Sequence, residues 1–546
     1  MTPRITPKSG STYQPGQIIR LEFPAQGYVN PANTTLEFDV TLTQPTMNTV
    51  SGVTAPHVTR FQNNIQSIFN RVRIMYGSTP LEDIINYNQI VRLLTEWTGT
   101  TQVGTLDQTS ICEGVGGVVI GVEGATQTAL GEFGRGSQRK GFVNIRQAYI
   151  QGIDTSTNEQ LSNLLSSTAV AALNELTRGD GFSIVPIDSG NFRATRRYQV
   201  SLATGLFTQE KLIPTKFMAS QFAIEITLAT EAECLYSQYG DATGQTAAGL
   251  ITPATYSVSN VNLIPEILEF DASYDAMFLK GLQEDGVPIK FSSWHTYIFG
   301  TGGSSNLNLQ IQERSRSVKA LFAVQRRAPY NIKTDSGACF LATIEGPVVA
   351  STPKPSCTLQ SYQYRIGGRY FPASPVQISD VVGGQTSNGG AEAFVELQKA
   401  LNVVGDMRLA TGVNLLKWGV MPYKEPVLLG GTLNGVLTYL SETDYAAMCS
   451  QYQPTGQPFV NVVTQPRNGT GDSFSGNMGS QCFAMAIDLE TSNGMEISGL
   501  NAEEQSDIAL IATYNQPQNK DFVIEVYSYY DAMLILRENN VIELIQ

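Results

Sequence analysis

The chain has 546 residues, of which 42% are hydrophobic and only 15% charged, with a formal net charge of −13. That length exceeds what one hydrophobic core organises, so two or more domains are expected. The acidic balance argues against a nucleic-acid binder, which needs a basic face; the low charge, against the ~25% usual for soluble domains, predicts surface covered by further copies of the chain.

In chain order, the first ten residues are polar with prolines at 3 and 7 and do not read as a secretory leader. Thr34–Leu42 alternates, with Leu36, Phe38, Val40 and Leu42 on one face and Thr35, Glu37, Asp39 and Thr41 on the other, which predicts a half-buried strand. Arg71–Tyr76 reads the same way and ends at Gly77-Ser78. Thr79-Pro-Leu-Glu82 has the form of a capping box with proline at the first helical position, and Leu81, Ile84, Ile85, Val91, Leu94 and Trp97 follow at near-helical spacing. A helix from Thr79 is expected. A second helix is expected over about Asn158–Thr177, stopped by Arg178-Gly179, and a third over about Ala391–Val404. Phe222–Leu228, Ala320–Gln325, Cys482–Leu489 and Phe522–Tyr530 read as further strands. Gly, Pro, Asn and Ser cluster between the strands, with 50 Gly and 25 Pro in all, so the chain belongs to the sandwich or barrel class with helices inserted in long loops.

The phrase Phe222-Ala-Ile-Glu-Ile226 returns as Phe522-Val-Ile-Glu-Val526, 300 residues later, with Glu231-Ala232 against Asp531-Ala532 and Leu235 against Ile535. A single repeat of that period implies two copies of one domain, since solenoid periods run roughly 20–50 residues. Residues 237–255 are small, polar and glycine-rich, as a linker would be, and the second half is expected to start near Tyr256.

Chemistry is sparse. His57 and His295 are the only histidines, without H-E-x-x-H spacing, a neighbouring cysteine or a G-x-S-x-G elbow, and no P-loop is present. Cys112, Cys234, Cys339, Cys357, Cys449 and Cys482 form no C-x-x-C pair and suit free thiols in a reducing compartment. Gly131-Glu-Phe-Gly-Arg-Gly136 reads as loop. The basic groups at Arg135–Lys140, Arg193 with Arg196-Arg197, and Arg314–Arg327 read as solvated or subunit-bridging loops. The sequons at Asn33 and Asn468 read as chance matches. No apolar run approaches the ~18 residues that a spanning helix needs. Glu225 and Glu525 invite a paired-carboxylate glycosidase reading. Their matching places in the repeat predict one in each domain, on the polar face of a final strand. No catalytic, cofactor or metal residue is assigned.

One series of phrases runs Phe69-Asn-Arg-Val-Arg-Ile-Met-Tyr-Gly-Ser78 with Leu81-Glu-Asp-Ile84 and Tyr87-Asn88, then Tyr198–Phe207 with Leu212-Ile-Pro214. Tyr256–Leu263, Gly286-Val-Pro-Ile289, Ser293-Trp294, Ser317–Phe322, Tyr364–Pro372 and Ile497-Ser-Gly499 continue it, over about 30 to 535. In this order the phrases resemble the double jelly-roll major capsid proteins of the virophage and polinton-like virus branch. The resemblance implies a mainly β fold of two tandem eight-stranded jelly rolls with helical loop insertions. The first would occupy residues 1–245 with an insertion at about 99–190, and the second 246–546 with an insertion at about 374–480. Those insertions match nothing in the family and would build outer towers or contacts between capsomers. The resemblance further implies a structural role and not an enzyme's: homotrimers with a pseudo-hexameric outline, tiling an icosahedral shell. Partners would be neighbouring capsomers, penton proteins and minor or cement proteins, without sequence-specific contact to nucleic acid; an internal membrane is left open. The place would be the virion, with synthesis in host cytoplasm or a virus factory. The competing readings are a viral spike, which should show a shaft repeat, and a carbohydrate-binding or carbohydrate-active β-sandwich, which should cluster acids and aromatics on one domain's loops.

Overall fold

The computed structural model describes residues 2–44, 49–50, 53–54, 57–61, 65–98, 121–123, 129–131, 185–186, 192–218, 220–239, 255–284, 286–327, 359–380, 386–387, 391–403, 483–490, 498–505, 507–514, 522–537 and 542–546. Sixteen strands, all paired antiparallel, carry the architecture. The first eight are β1 (Thr12–Tyr13), β2 (Ile18–Glu22), β3 (Tyr28–Gln44), β4 (Phe69–Tyr76), β5 (Thr79–Ile85), β6 (Phe192–Val200), β7 (Phe222–Leu228) and β8 (Thr255–Leu268). They make two sheets, β1-β8-β3-β6 and β2-β7-β4-β5. The next eight are β9 (Val287–Gly300), β10 (Asn306–Gln310), β11 (Val318–Arg327), β12 (Leu359–Ile366), β13 (Arg369–Gln377), β14 (Met485–Asp488), β15 (Ile508–Tyr514) and β16 (Phe522–Leu536). Their sheets run β9-β16-β11-β14 and β10-β15-β12-β13. Adding eight to each label of the first pair of sheets gives the second pair, so the two halves are strand-for-strand copies, each an eight-stranded jelly roll. A last strand, β17 (Ile542–Ile545), pairs with the end of β16.

The alternation read from the sequence builds these sheets. On β3, Leu36, Phe38, Val40 and Leu42 are buried in the core. Glu37 and Asp39 on its other face are also covered, at 8% exposure each, because Arg4, Arg197, Asn260 and Asn262 close over them. Arg196 and Arg197 therefore lie on strand β6 and not in a loop, and Arg197 pairs with Asp39 at 2.7 Å.

The structure revises three sequence readings. The repeated phrase is out of register: Phe222 opens β7, whose counterpart is β15, whereas Phe522 opens β16, whose counterpart is β8. Both are inner strands with neighbours on either side, and such strands favour similar apolar runs. The expected boundary at 245, with the second half starting near Tyr256, also shifts. Strand β8 pairs with β3 from Thr255↔Thr43 to Leu268↔Tyr28, so the first sandwich extends to Leu268. Helix α2 (Ala272–Glu284) follows and the second sandwich opens at Val287. Third, Thr79–Ile85 is a strand, not a helix. It folds back on β4 through the Gly77-Ser78 turn, where Gly77 has φ 59°, and the ladder with β4 outcompetes the local cap signal. The helix begins later, as α1 (Tyr87–Thr98). The third expected helix is present as α3 (Ala391–Ala400). The helix expected over 158–177, and most of the two loop insertions, lie outside the described residues.

Buried side chains of the two sandwiches form one continuous apolar cluster. That continuity directs attention to the place where the halves meet.

Candidate structural site: the seam between the sandwiches

Strand β5 of the first sandwich lies against edge strand β9 of the second, and the helical turn Gly205–Thr208 packs beside it. The approach is close. A Cβ on Gly205 would fall 2.2 Å from the Ser292 carbonyl oxygen, so no larger residue fits without moving β9. Lys211 Nζ donates to the Pro288 carbonyl at 3.1 Å, and Thr296 Oγ1 donates to the Ile85 carbonyl at 2.8 Å.

Two carboxylates hold the seam from inside. Glu82, on β5, is 1% exposed. Its Oε1 accepts from Gly205 N at 2.7 Å and from Ser293 Oγ at 2.6 Å, and its Oε2 accepts from Leu206 N at 3.1 Å. Burial pushes this carboxyl above the usual carboxylate range, against the pull of those three hydrogen bonds. Glu525, on β16, is fully buried; it accepts from Asn86 Nδ2 at 2.9 Å and from Tyr527 Oη at 2.5 Å. Asn86 presents its amide there because it turns the chain from β5 into α1 with φ 55°, a conformation that asparagine tolerates better than most residues.

An aromatic run closes the other end. Trp97 of α1 packs on Phe322 of β11 with ring centroids 5.0 Å apart. Phe322 meets Trp294 at 5.7 Å, and Trp294 meets Tyr529 at 4.5 Å. A helix read only as an apolar stripe thus places its last aromatic on the second sandwich. A further contact lies at α2, where Tyr28 Oη donates to Asp275 at 2.9 Å and Lys216 pairs with the same carboxylate at 2.5 Å.

The candidate residues of the sequence reading separate. Glu225 sits on β7 in an ion ladder, 2.9 Å from Arg20 and 2.7 Å from Arg73. Glu525 is at the seam of the other sandwich, so the two occupy unlike surroundings instead of matching ones. His57 begins a short strand, His57–Phe61, paired with Leu235–Tyr239. His295, on β9, contacts both oxygens of buried Glu313 at 3.3 Å and stacks on Tyr530. Burial alone would raise Glu313; the contacts from His295 and Ser315 outweigh it and bring the carboxyl down to about 2. Glu132–Gly136 lies outside the described residues, as do Cys112, Cys339, Cys357, Cys449 and Cys482. Cys234 is a buried free thiol whose pKa burial pushes up, which makes it inert. Among the described residues no cluster of His, Cys, Asp or Glu is placed to hold a metal, and no helix is long and apolar enough to cross a membrane.

Sequence reasoning missed Glu82, Asn86 and Glu313. The one local signal was an acid flanked by buried apolar positions, as in Leu81-Glu-Asp-Ile84.

No family model matches the chain, and no curated protein matches it in sequence. Solved structures match it in shape. The crystal structure of the mavirus major capsid protein superposes with a TM-score of 0.50 at 10% identity, over 100% of this chain and 89% of that one. The chain is a double jelly roll. The Sputnik virophage structure gives 0.48 at 13% identity, over 100% of this double jelly roll and 87% of that chain. The Faustovirus major capsid protein gives 0.47 at 8% identity, over 98% and 90%. What this likeness shows is the fold.

Proposed function

We propose that this double jelly roll is a major capsid protein, a structural subunit whose copies form pseudo-hexameric homotrimers that tile an icosahedral virus shell. The observation that carries the reading is the strand-for-strand duplication held by a buried seam. Two like sandwiches fixed side by side, taken three times, present six similar flanks, and such an object packs hexagonally. The mavirus structure, a major capsid protein, has the same fold. The low charge fits surface that copies cover. The work of the protein on this reading is geometry and affinity, with no reaction. Its partners are neighbouring capsomers together with penton and minor or cement proteins, and its place is the virion. The same reading makes the large loop insertions the parts that vary between shells.

The test is mass by light scattering with negative-stain images of the same peak. A species near three times 59.3 kDa, seen as compact pseudo-hexagonal particles, is expected. A monomer at micromolar concentration overturns the proposal.

A further inference from the structure

The segment that leads into the first sandwich is laid along the outer edge of β8. Ile5 exchanges both backbone hydrogen bonds with Leu263, each 2.8 Å, and Thr12–Tyr13 pair with Ser259 and Val258. Between these two points the chain bends around Ser9-Gly10-Ser11, with residues 8–11 exposed and Pro7 half-buried. Tyr13 is the fixed end, at 3% exposure, with its hydroxyl 3.0 Å from the Gly10 carbonyl and 2.9 Å from Ser9 Oγ. Beyond the bend only light contacts hold the segment. Ile5 is half-buried, Arg4 reaches Glu37 at 3.1 Å and Lys8 reaches Glu22 at 2.6 Å, with the two basic side chains 59% and 80% exposed.

The charge pattern is one-sided. Arg4, Lys8 and Arg20 precede the first acid of the chain, Glu22, in a molecule of net charge −13. A basic strip thus lies on an acidic body. The contacts along Arg4–Lys8 are the Ile5 backbone pair, two ion pairs and the packing of the Ile5 side chain against the apolar cluster. An identical copy offers the same β8 edge, the same carboxylates and the same apolar seat, so none of these contacts distinguishes it from the chain's own sandwich.

We propose that Arg4–Gly10 is an exchangeable arm which, in the assembled shell, pairs with β8 of a neighbouring copy. The inference rests on the shell reading above. Exchange of an identical element replaces each bond with the same bond, so it costs little in contacts while tying two copies together. Seven extended residues reach about 23 Å from the bend, enough to cross to an abutting subunit. The fixed end at Tyr13 keeps β1 with its own sandwich, and only the part beyond Gly10 moves.

The test is a cysteine pair, Ile5→Cys with Leu263→Cys. Hydrogen-bonded antiparallel partners stand about 5.5 Å apart at Cα, inside the range a disulfide bridges. Assembled particles and dissociated subunits are oxidised separately and run on non-reducing gels, beside the native chain and each single variant. The expected result is intrachain bonds in dissociated subunits and covalent multimers in particles, absent from the controls. Particles with only intrachain bonds overturn the arm and leave the shell reading intact. A native chain that forms no particles overturns both. A second variant, Arg4→Glu with Lys8→Glu, leaves the sandwich core untouched; a several-fold loss of particle yield at an unchanged melting temperature is expected, and an unchanged yield overturns the inference.

Discussion

Replacing Glu82 by Gln asks whether hydrogen bonds or buried charge govern the seam. The carboxylate serves three donors: Gly205 N and Ser293 Oγ on one oxygen, Leu206 N on the other. The amide keeps the volume but offers one oxygen. If that oxygen stays with Gly205 and Ser293, the Leu206 N–H faces an NH2 group, and a buried donor without an acceptor costs ~1–3 kcal/mol. The change also removes an anion that burial disfavours, which offsets part of that cost. A net loss of about 1–2 kcal/mol follows. At 2–4 °C per kcal/mol for domains of some 150–250 residues, that is a fall in Tm of about 2–8 °C. The assay is tryptophan fluorescence during a melt at fixed scan rate, since large proteins often unfold irreversibly; Trp97 and Trp294 both report from the seam. The pH dependence has a definite sign. Burial raises the folded-state value above 4.5, so the folded protein holds this proton more tightly than the unfolded chain. Native stability from this group therefore falls as pH rises from 4.5 through the folded value, and the variant lacks that slope. A Tm that is unchanged or higher at pH 7 refutes the reasoning, because charge burial would then outweigh the bonds.

Three further perturbations probe other parts of the scaffold. Glu525→Gln is expected to lower stability by about 1–3 kcal/mol, since a fully buried acceptor of two bonds is altered, whereas Glu225→Gln, in a partly exposed ladder, costs about 1 kcal/mol or less; chemical denaturation of the two side by side checks the order, and equal effects count against it. Trp97→Ala should destabilise by about 3–5 kcal/mol through the cavity left against Phe322, read as a shift in denaturation midpoint; a smaller shift than that of Glu225→Gln would show that α1 does not hold the halves together. Glu313 is lowered to about 2 in the folded state, so its contribution is complete above 4.5 and is lost as pH falls toward about 2; Glu313→Gln should flatten acid unfolding in that window, and an unchanged acid limb contradicts the assignment.

The sandwich class was legible because its signal is local. Leu36, Phe38, Val40 and Leu42 announce one face of β3 at period two, and nothing in the fold overrides them. The order of halves was harder to read. Phe222 and Phe522 open strands in similar surroundings but at different places in the jelly roll, and similarity of surroundings is all that composition records. Thr79-Pro-Leu-Glu82 carries a sound helix-start signal, but the pairing of Ile74 with Glu82 and of Arg71 with Ile85 decides the backbone. The seam was illegible for a different reason. Glu82 and Ser293 lie 211 residues apart, and Asn86 and Glu525 lie 439 apart, so no local pattern joins them. Glu225 and Glu525 looked alike for the same reason, and only their neighbours separate them.

Because one apolar cluster runs through both sandwiches, and β5, α1 and the turn at Gly205 are wedged against the second, the link between the halves leaves no room for a hinge. On the proposed shell reading, a closed surface built from such subunits would have to find its curvature elsewhere. The bend from one facet to the next would then fall on the contacts between chains, with every subunit keeping one internal shape.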